Sequence, residues 1–206
     1  MKLRDRDNFV VLGVFLGVTA LLAAVVLAVV SQLTAGPIDA AAQRTRQGAF
    51  LRLGLPEFDR TGDDCRFDGC LFTPVYKNDE LCGFVGQGSG SGYGGEIIVL
   101  AGFDTGSRIT GVQILQHKET PGLGANVCER KFQRTIFNLA EKAPAVPANR
   151  YLDQFTGVNS ADYASWSICK DGGKFDYMTG ATVTSRAVTG IVADIAGKFK
   201  AWREVK

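Results

Sequence analysis

The run Glu96-Ile97-Ile98-Val99-Leu100-Ala101-Gly102-Phe103, the tetrapeptide Asp104-Thr105-Gly106-Ser107 and the run Arg108-Ile109-Thr110-Gly111-Val112-Gln113-Ile114-Leu115-Gln116 carry the clearest structural signal in the chain. Both runs are rich in β-branched and apolar residues, and the cluster between them has the composition of a turn. Strands joined by so short a connection pair antiparallel, because a parallel pair needs a long crossover. An antiparallel sheet is therefore expected at the centre of the fold.

Upstream, Leu71–Tyr76 and Leu81–Val85 flank Lys77-Asn78-Asp79-Glu80 and predict a second hairpin. Pro74 has no N–H to give a ladder, which places the first of these strands at an edge. Between the hairpins, Gly90, Gly92 and Gly95 satisfy G-x-G-x-x-G. A dinucleotide fingerprint leaves a strand and opens a helix, whereas these glycines run into the strand Glu96–Leu100. They are read as turn residues.

Farther upstream nothing between Asp7 and Asp39 is ionisable, and Phe9–Ser31 is almost wholly apolar. About 23 residues of helix reach roughly 35 Å, enough to cross a bilayer core with some tilt. Gly13 and Gly17 form a small-xxx-small pair that permits close helix approach, and a plain lipid-facing anchor is the equal alternative. Lys2, Arg4 and Arg6 precede the run as in a secretory signal, but signal cores span only about 7 to 15 residues. A retained anchor is expected, with the N-terminus in the cytoplasm and everything from about Thr34 onward outside. After Pro37, Asp39–Leu53 reads as a helix stopped by Gly54 and Pro56. The expected plan is a cytoplasmic segment 1–8, a transmembrane helix 9–31, a membrane-proximal connecting helix 32–60 and one outer domain 61–206. The fold class is α+β, one span followed by an antiparallel sheet with flanking helices.

At 206 residues and 22.1 kDa the chain supports one globular body plus an appendage. A net charge of +2 gives no field of the kind nucleic acid requires. The 25 glycines follow no period, which excludes a fibrous repeat. Cys65, Cys70, Cys82, Cys128 and Cys169 are five in number, so at least one has no disulfide partner within the chain. Cys65 and Cys70 flank a short loop and form a candidate pair, though spacing alone does not assign connectivity. With no C-x-x-C and His117 as the single histidine, zinc ligand sets are poorly supplied.

Downstream, Asn126–Lys142 carries Phe132, Ile136, Leu139 and Ala140 at helical spacing, closed by Pro144 and Pro147. From there to Lys174 the chain is irregular, with Tyr151, Phe155, Tyr163 and Trp166 read as packing residues. From about Ser185, Val188, Ile191, Val192, Ile195, Phe199 and Trp202 fall on one helical face. That helix is entered through Asp176-Tyr177-Met178-Thr179-Gly180-Ala181-Thr182-Val183-Thr184-Ser185. Small residues admit a ligand to the backbone, and a helix N-terminus presents free N–H groups and a positive dipole end to an anion. An ordinary Ser/Thr cap is the structural alternative. The second segment of interest, His117-Lys118-Glu119-Thr120-Pro121-Gly122-Leu123-Gly124, reads as a Pro-Gly turn after the strongest strand, and His117 is given no role.

Asp176-x-x-Thr179-Gly180-Ala181-Thr182 resembles the flavinylation motif of bacterial FMN-binding domains. That resemblance implies FMN joined by a phosphoester to Thr182, placed there by a flavin transferase that uses FAD and releases AMP. Glu119-Thr120-Pro121-Gly122-Leu123-Gly124 resembles the loop that lines the flavin in the same family. The resemblance thus assigns cofactor binding to Asp176, Thr179, Gly180, Ala181, Thr182 and Thr184, and to Glu119, Thr120, Pro121, Gly122, Leu123 and Gly124. No separate catalytic or metal-binding residue is implied. The plan of one span and an outer domain is similar to the G-subunit family of Rnf ion-translocating ferredoxin:NAD oxidoreductase complexes, and the Tyr93-Gly94-Gly95-Glu96 run favours that family. This implies a bacterial inner-membrane electron carrier with a periplasmic domain, working among the other proteins of the complex and membrane lipid. The C-subunit family of sodium-translocating NADH:quinone reductases and a stand-alone membrane-anchored FMN reductase are the alternatives.

Overall fold

The computed structural model describes residues 4–132, 144 and 146–205. The chain divides into two units, Met1–Thr45 and Arg46–Lys206. Helix α1 (Arg4–Phe50) continues through Pro37, so the segment expected as a span and the first part of the expected connecting helix belong to one element, while residues 51–60 lie outside any helix. An interior proline removes a single i→i−4 bond, and the Ala40-Ala41-Ala42 run beyond it is a strong helix former. Among the described residues this is the helix long and apolar enough to cross a membrane, and its most apolar stretch is fully exposed.

The second unit is built on six antiparallel strands, β1 (Arg60–Thr61), β2 (Cys65–Phe67), β3 (Cys70–Lys77), β4 (Glu80–Ser91), β5 (Glu96–Phe103) and β6 (Ile109–Gln116). Their order is β1-β3-β4-β5-β6, with β2 also on β3. With one apolar N-terminal helix and this sheet, the architecture is the expected α+β. Helix α4 (Thr182–Val205) lies against one face and buries Val188, Ile191, Val192, Ile195, Phe199 and Trp202, the stripe read from periodicity. Val99, Ala101 and Phe103 of β5 share that core, while Leu100 packs on the opposite face with Phe50, Leu53, Val75 and Val85. Burial on both faces explains why β5 is apolar almost throughout.

Two expectations change, and a third falls largely outside the described residues. Strand β3 is not an edge, since β1 and β2 both pair with its outer side. The Pro74 carbonyl accepts Gly62 N–H at 2.8 Å, and its nitrogen, on the same side of the strand, faces the gap between those two short partners. Strand β4 does not stop at Val85 but continues through Gly86, Gly88 and Gly90 to Ser91. A Cβ at Gly86 or Gly88 would lie 2.6 or 2.7 Å from Ile195, and one at Gly90 2.7 Å from Ile191, so the glycines form a flat track for α4. Last, the helix expected over Asn126–Lys142 lies outside the described residues from 133 onward. Ahead of that, α2 (Gly124–Cys128) ends with Glu129 in extended backbone.

The irregular segment holds a single helical turn, α3 (Arg150–Asp153), and two 3-10 turns. Asn149 caps α3 and donates to the Asn126, Val127 and Glu129 carbonyls, which fastens α2 to it. Phe155 and Trp166 are core residues, as read. Cys65 opposes Phe72 and Cys70 opposes Phe67, so these two cysteines sit diagonally across the hairpin with no disulfide between them. Diagonal partners are about 7–8 Å apart, beyond ordinary disulfide reach.

Candidate functional site

Three segments converge on a cavity of about 350 Å³: the β4–β5 turn at Tyr93, the loop after β6 at Glu119, Thr120, Leu123 and Gly124, and Gly180–Thr184 at the start of α4. Two of them are shaped by matching turns. In Thr120–Leu123 the Leu123 N–H donates to Thr120 O at 3.2 Å, and Gly122 takes φ +81° after Pro121. In Met178–Ala181 the Ala181 N–H donates to Met178 O at 3.0 Å, and Gly180 takes φ +89°. Both place glycine where a type II turn needs positive φ. The turns meet where Leu123 Cδ2 lies 3.5 Å from the position a Gly180 Cβ would take.

Helix α4 opens from the second turn. Its first i→i−4 bond runs from Ser185 N–H to Ala181 O at 2.9 Å. The N–H groups of Thr182, Val183 and Thr184 precede that bond and have no intrahelical acceptor, and they stand where the dipole favours an anion. Thr182 is half-buried on the cavity, and no protein group holds its hydroxyl among the described residues. The Thr184 hydroxyl differs: buried, it donates to Glu119 Oε2 at 2.7 Å. Glu119 Oε1 accepts Gly94 N–H at 3.1 Å. Behind this carboxylate, burial first and then the Glu119 and Glu129 carboxylates push the Cys128 thiol up to about 12.

Of the residues assigned from sequence, Glu119, Thr120, Leu123, Gly124, Gly180, Ala181, Thr182 and Thr184 line the cavity. Pro121, Gly122 and Thr179 shape the turns beside it without lining it, and all three are exposed. Asp176 faces away, paired with Arg150 at 3.0 Å and bonded through its N–H to Gln154 at 2.6 Å. Tyr93 and Val183 line the cavity and were not assigned. Tyr93 stands in a run noted for its family resemblance, but only folding of the β4–β5 turn brings it to the site. His117 also has a position, accepting Glu119 N–H on Nδ1 at 3.2 Å with Nε2 3.3 Å from Glu129.

An open, largely apolar cavity ending at a helix N-terminus suits a ligand with a flat ring and an anionic tail. Residues 92–197 match the FMN-binding domain family, and the chain belongs to that family. The matched segment contains all three cavity-forming segments. Among its relatives, the chain is similar to the G subunit of the ion-translocating oxidoreductase complex of Aliivibrio fischeri (35% identity over 141 residues, 64% of this chain and 57% of that protein). The corresponding protein of Haemophilus influenzae is 30% identical over 186 residues, 85% of this chain and 83% of that protein. That of Cereibacter sphaeroides is 28% identical over 197 residues, 91% and 82%. Against the first of these the chain spans little more than half the relative's length.

Proposed function

We propose that the chain is an electron-carrying component of a membrane-bound ion-translocating oxidoreductase complex of the Rnf type, with FMN held covalently by Thr182. The observation that carries this reading is the Thr182 hydroxyl, open to the cavity at the first turn of α4, in a chain whose family binds FMN. The names of the three relatives support the complex.

In this reading the Thr182 Oγ attacks the FMN phosphorus of FAD on a separate flavin transferase. The Oγ–P bond forms as the bond from that phosphorus to AMP breaks, and the hydroxyl proton leaves with AMP. The Thr182, Val183 and Thr184 amides would then be free to donate to the phosphoester oxygens. Gly180 and Ala181 would let the phosphate reach the backbone, and Leu123 and Val183 would offer apolar surface to the ring. Bound FMN would supply reversible uptake of one or two electrons. Thr120, Pro121, Gly122 and Gly124 hold the turn that carries Leu123, and Thr179 and Asp176 hold the one that carries Thr182. Neighbouring proteins of the complex are the proposed electron partners, with α1 as anchor in the bacterial inner membrane, the N-terminus cytoplasmic and the FMN domain periplasmic. Loss of the covalent flavin from Thr182→Ala tests the assignment.

A further inference from the structure

Resting on the FMN reading, we propose that Glu119 is a positioning residue whose one carboxylate clamps the turn Gly92–Gly95 to the N-terminus of α4, holding Tyr93 at the cavity and setting a fixed negative charge beside the bound ring. Its two oxygens serve elements far apart in sequence. Oε1 takes the Gly94 N–H, and Oε2 takes the Thr184 hydroxyl, 65 residues away. Glu119 is 6% exposed and Thr184 1%, so the bond between them is shielded from water, while the bond from Gly94 is part-buried.

The surroundings are cut to fit this carboxylate. A Cβ on Gly92 would collide with Oε1, and one on Gly124 with Oε2 and with Thr184 Oγ1, which would lie 2.6 Å away. A Cβ on Gly94 would run into Lys118 O. Gly92 and Gly124, from two segments, thus make room for the Glu119 carboxylate, while Gly94 makes room for the backbone at Lys118. The Glu119 backbone is itself held by His117. By accepting the Thr184 hydroxyl, the carboxylate also leaves the amides at the start of α4 to an anion.

The charge has a second effect. Glu119 is the one carboxylate among the residues lining the cavity. Negative charge in a partly desolvated wall opposes electrons arriving on the ring, so it favours the oxidised flavin. Glutamine matches glutamate in shape and can still accept from Gly94 while its amide donates to Thr184 Oγ1. Glu119→Gln therefore removes the charge and keeps the clamp, whereas Glu119→Ala and Thr184→Val break the clamp.

The test uses the full chain purified from membranes with its flavin transferase present. Amide exchange at Gly94 reads the clamp without reference to flavin. It should accelerate at least tenfold in Glu119→Ala and in the milder Thr184→Val, and stay near wild type in Glu119→Gln. On the flavin-bearing fraction, Glu119→Gln should move the midpoint potential upward, with at least a threefold change in the oxidised-to-reduced ratio at fixed potential. Unchanged Gly94 exchange in both clamp-breaking variants would overturn the clamp. An unmoved potential in Glu119→Gln would overturn the charge effect. Wild-type protein without covalent flavin would instead overturn the FMN reading and leave the exchange result standing.

Discussion

Ser185 reaches back to Met178: its Oγ accepts the Met178 N–H at 3.1 Å while donating to Ala181 O at 3.0 Å. One hydroxyl therefore spans the Met178–Ala181 turn and ties it to the first full turn of α4. Ser185→Ala removes both bonds in a buried setting and leaves the Met178 N–H without this acceptor. A stability loss of about 1–3 kcal/mol is expected, together with lower flavin content because the turn presenting Thr182 is loosened. Chemical denaturation and flavin absorbance per protein check both, and a variant with wild-type values in both would show that the turn holds itself.

Leu123 stands 46% exposed at the cavity, between the two turns. Leu123→Ala should retain covalent flavin but shift its absorption spectrum or potential, since the ring then meets water where it met an apolar side chain. Normal flavin content with unchanged spectrum and potential would reduce the loop to a turn with no part in the ring's environment.

Cys128 gives a pH dependence with a defined sign. Its thiol ionises at about 12 in the fold against an ordinary 9.0, so the folded chain retains a proton that the unfolded chain releases. The associated stability is complete below pH 9 and declines as pH rises from 9 towards 12. Denaturation midpoints measured across that window should fall less steeply for Cys128→Ala than for wild type. Parallel slopes would mean that the thiol does not stay protonated in the fold.

The proposed topology rests on the Lys2, Arg4 and Arg6 bias ahead of the apolar run. Reporter fusions after Lys206 should behave as periplasmic, and N-terminal sequencing of the mature protein should begin at or next to Met1. A mature terminus beyond about Ser31 would identify the run as a cleaved signal.

Local patterning carried much of this structure. The α4 stripe is periodic because the helix buries one face, and the β5 and β6 runs are nearly continuous because those strands are buried on both faces. The glycines of β4 misled for a physical reason: a strand that gives up its side chains to let a helix approach has the composition of a loop. Pro74 misled because edge position was inferred from one missing N–H, while two short strands leave a gap opposite it. The Thr182 and Glu119 segments were legible as motifs, but the bond from Thr184 to Glu119 was not. It joins two side chains across the fold, and neither neighbourhood signals it. Tyr93 was hidden likewise, since it reaches the cavity only through the β4–β5 turn.

The central claim is that the Thr182 oxygen carries FMN, and intact mass with fluorescence of the denatured protein tests it most directly. Wild type and Thr182→Ala would be prepared alongside Thr184→Ala, each produced with the flavin transferase. Wild type should carry the added mass of one FMN less a water and fluoresce after denaturation. Thr182→Ala should have its unmodified mass and no fluorescence, while Thr184→Ala, which loses the bond to Glu119 but not the attachment oxygen, should keep the flavin. Covalent flavin persisting in Thr182→Ala and vanishing in Thr184→Ala would contradict the account and move the attachment two residues along the helix.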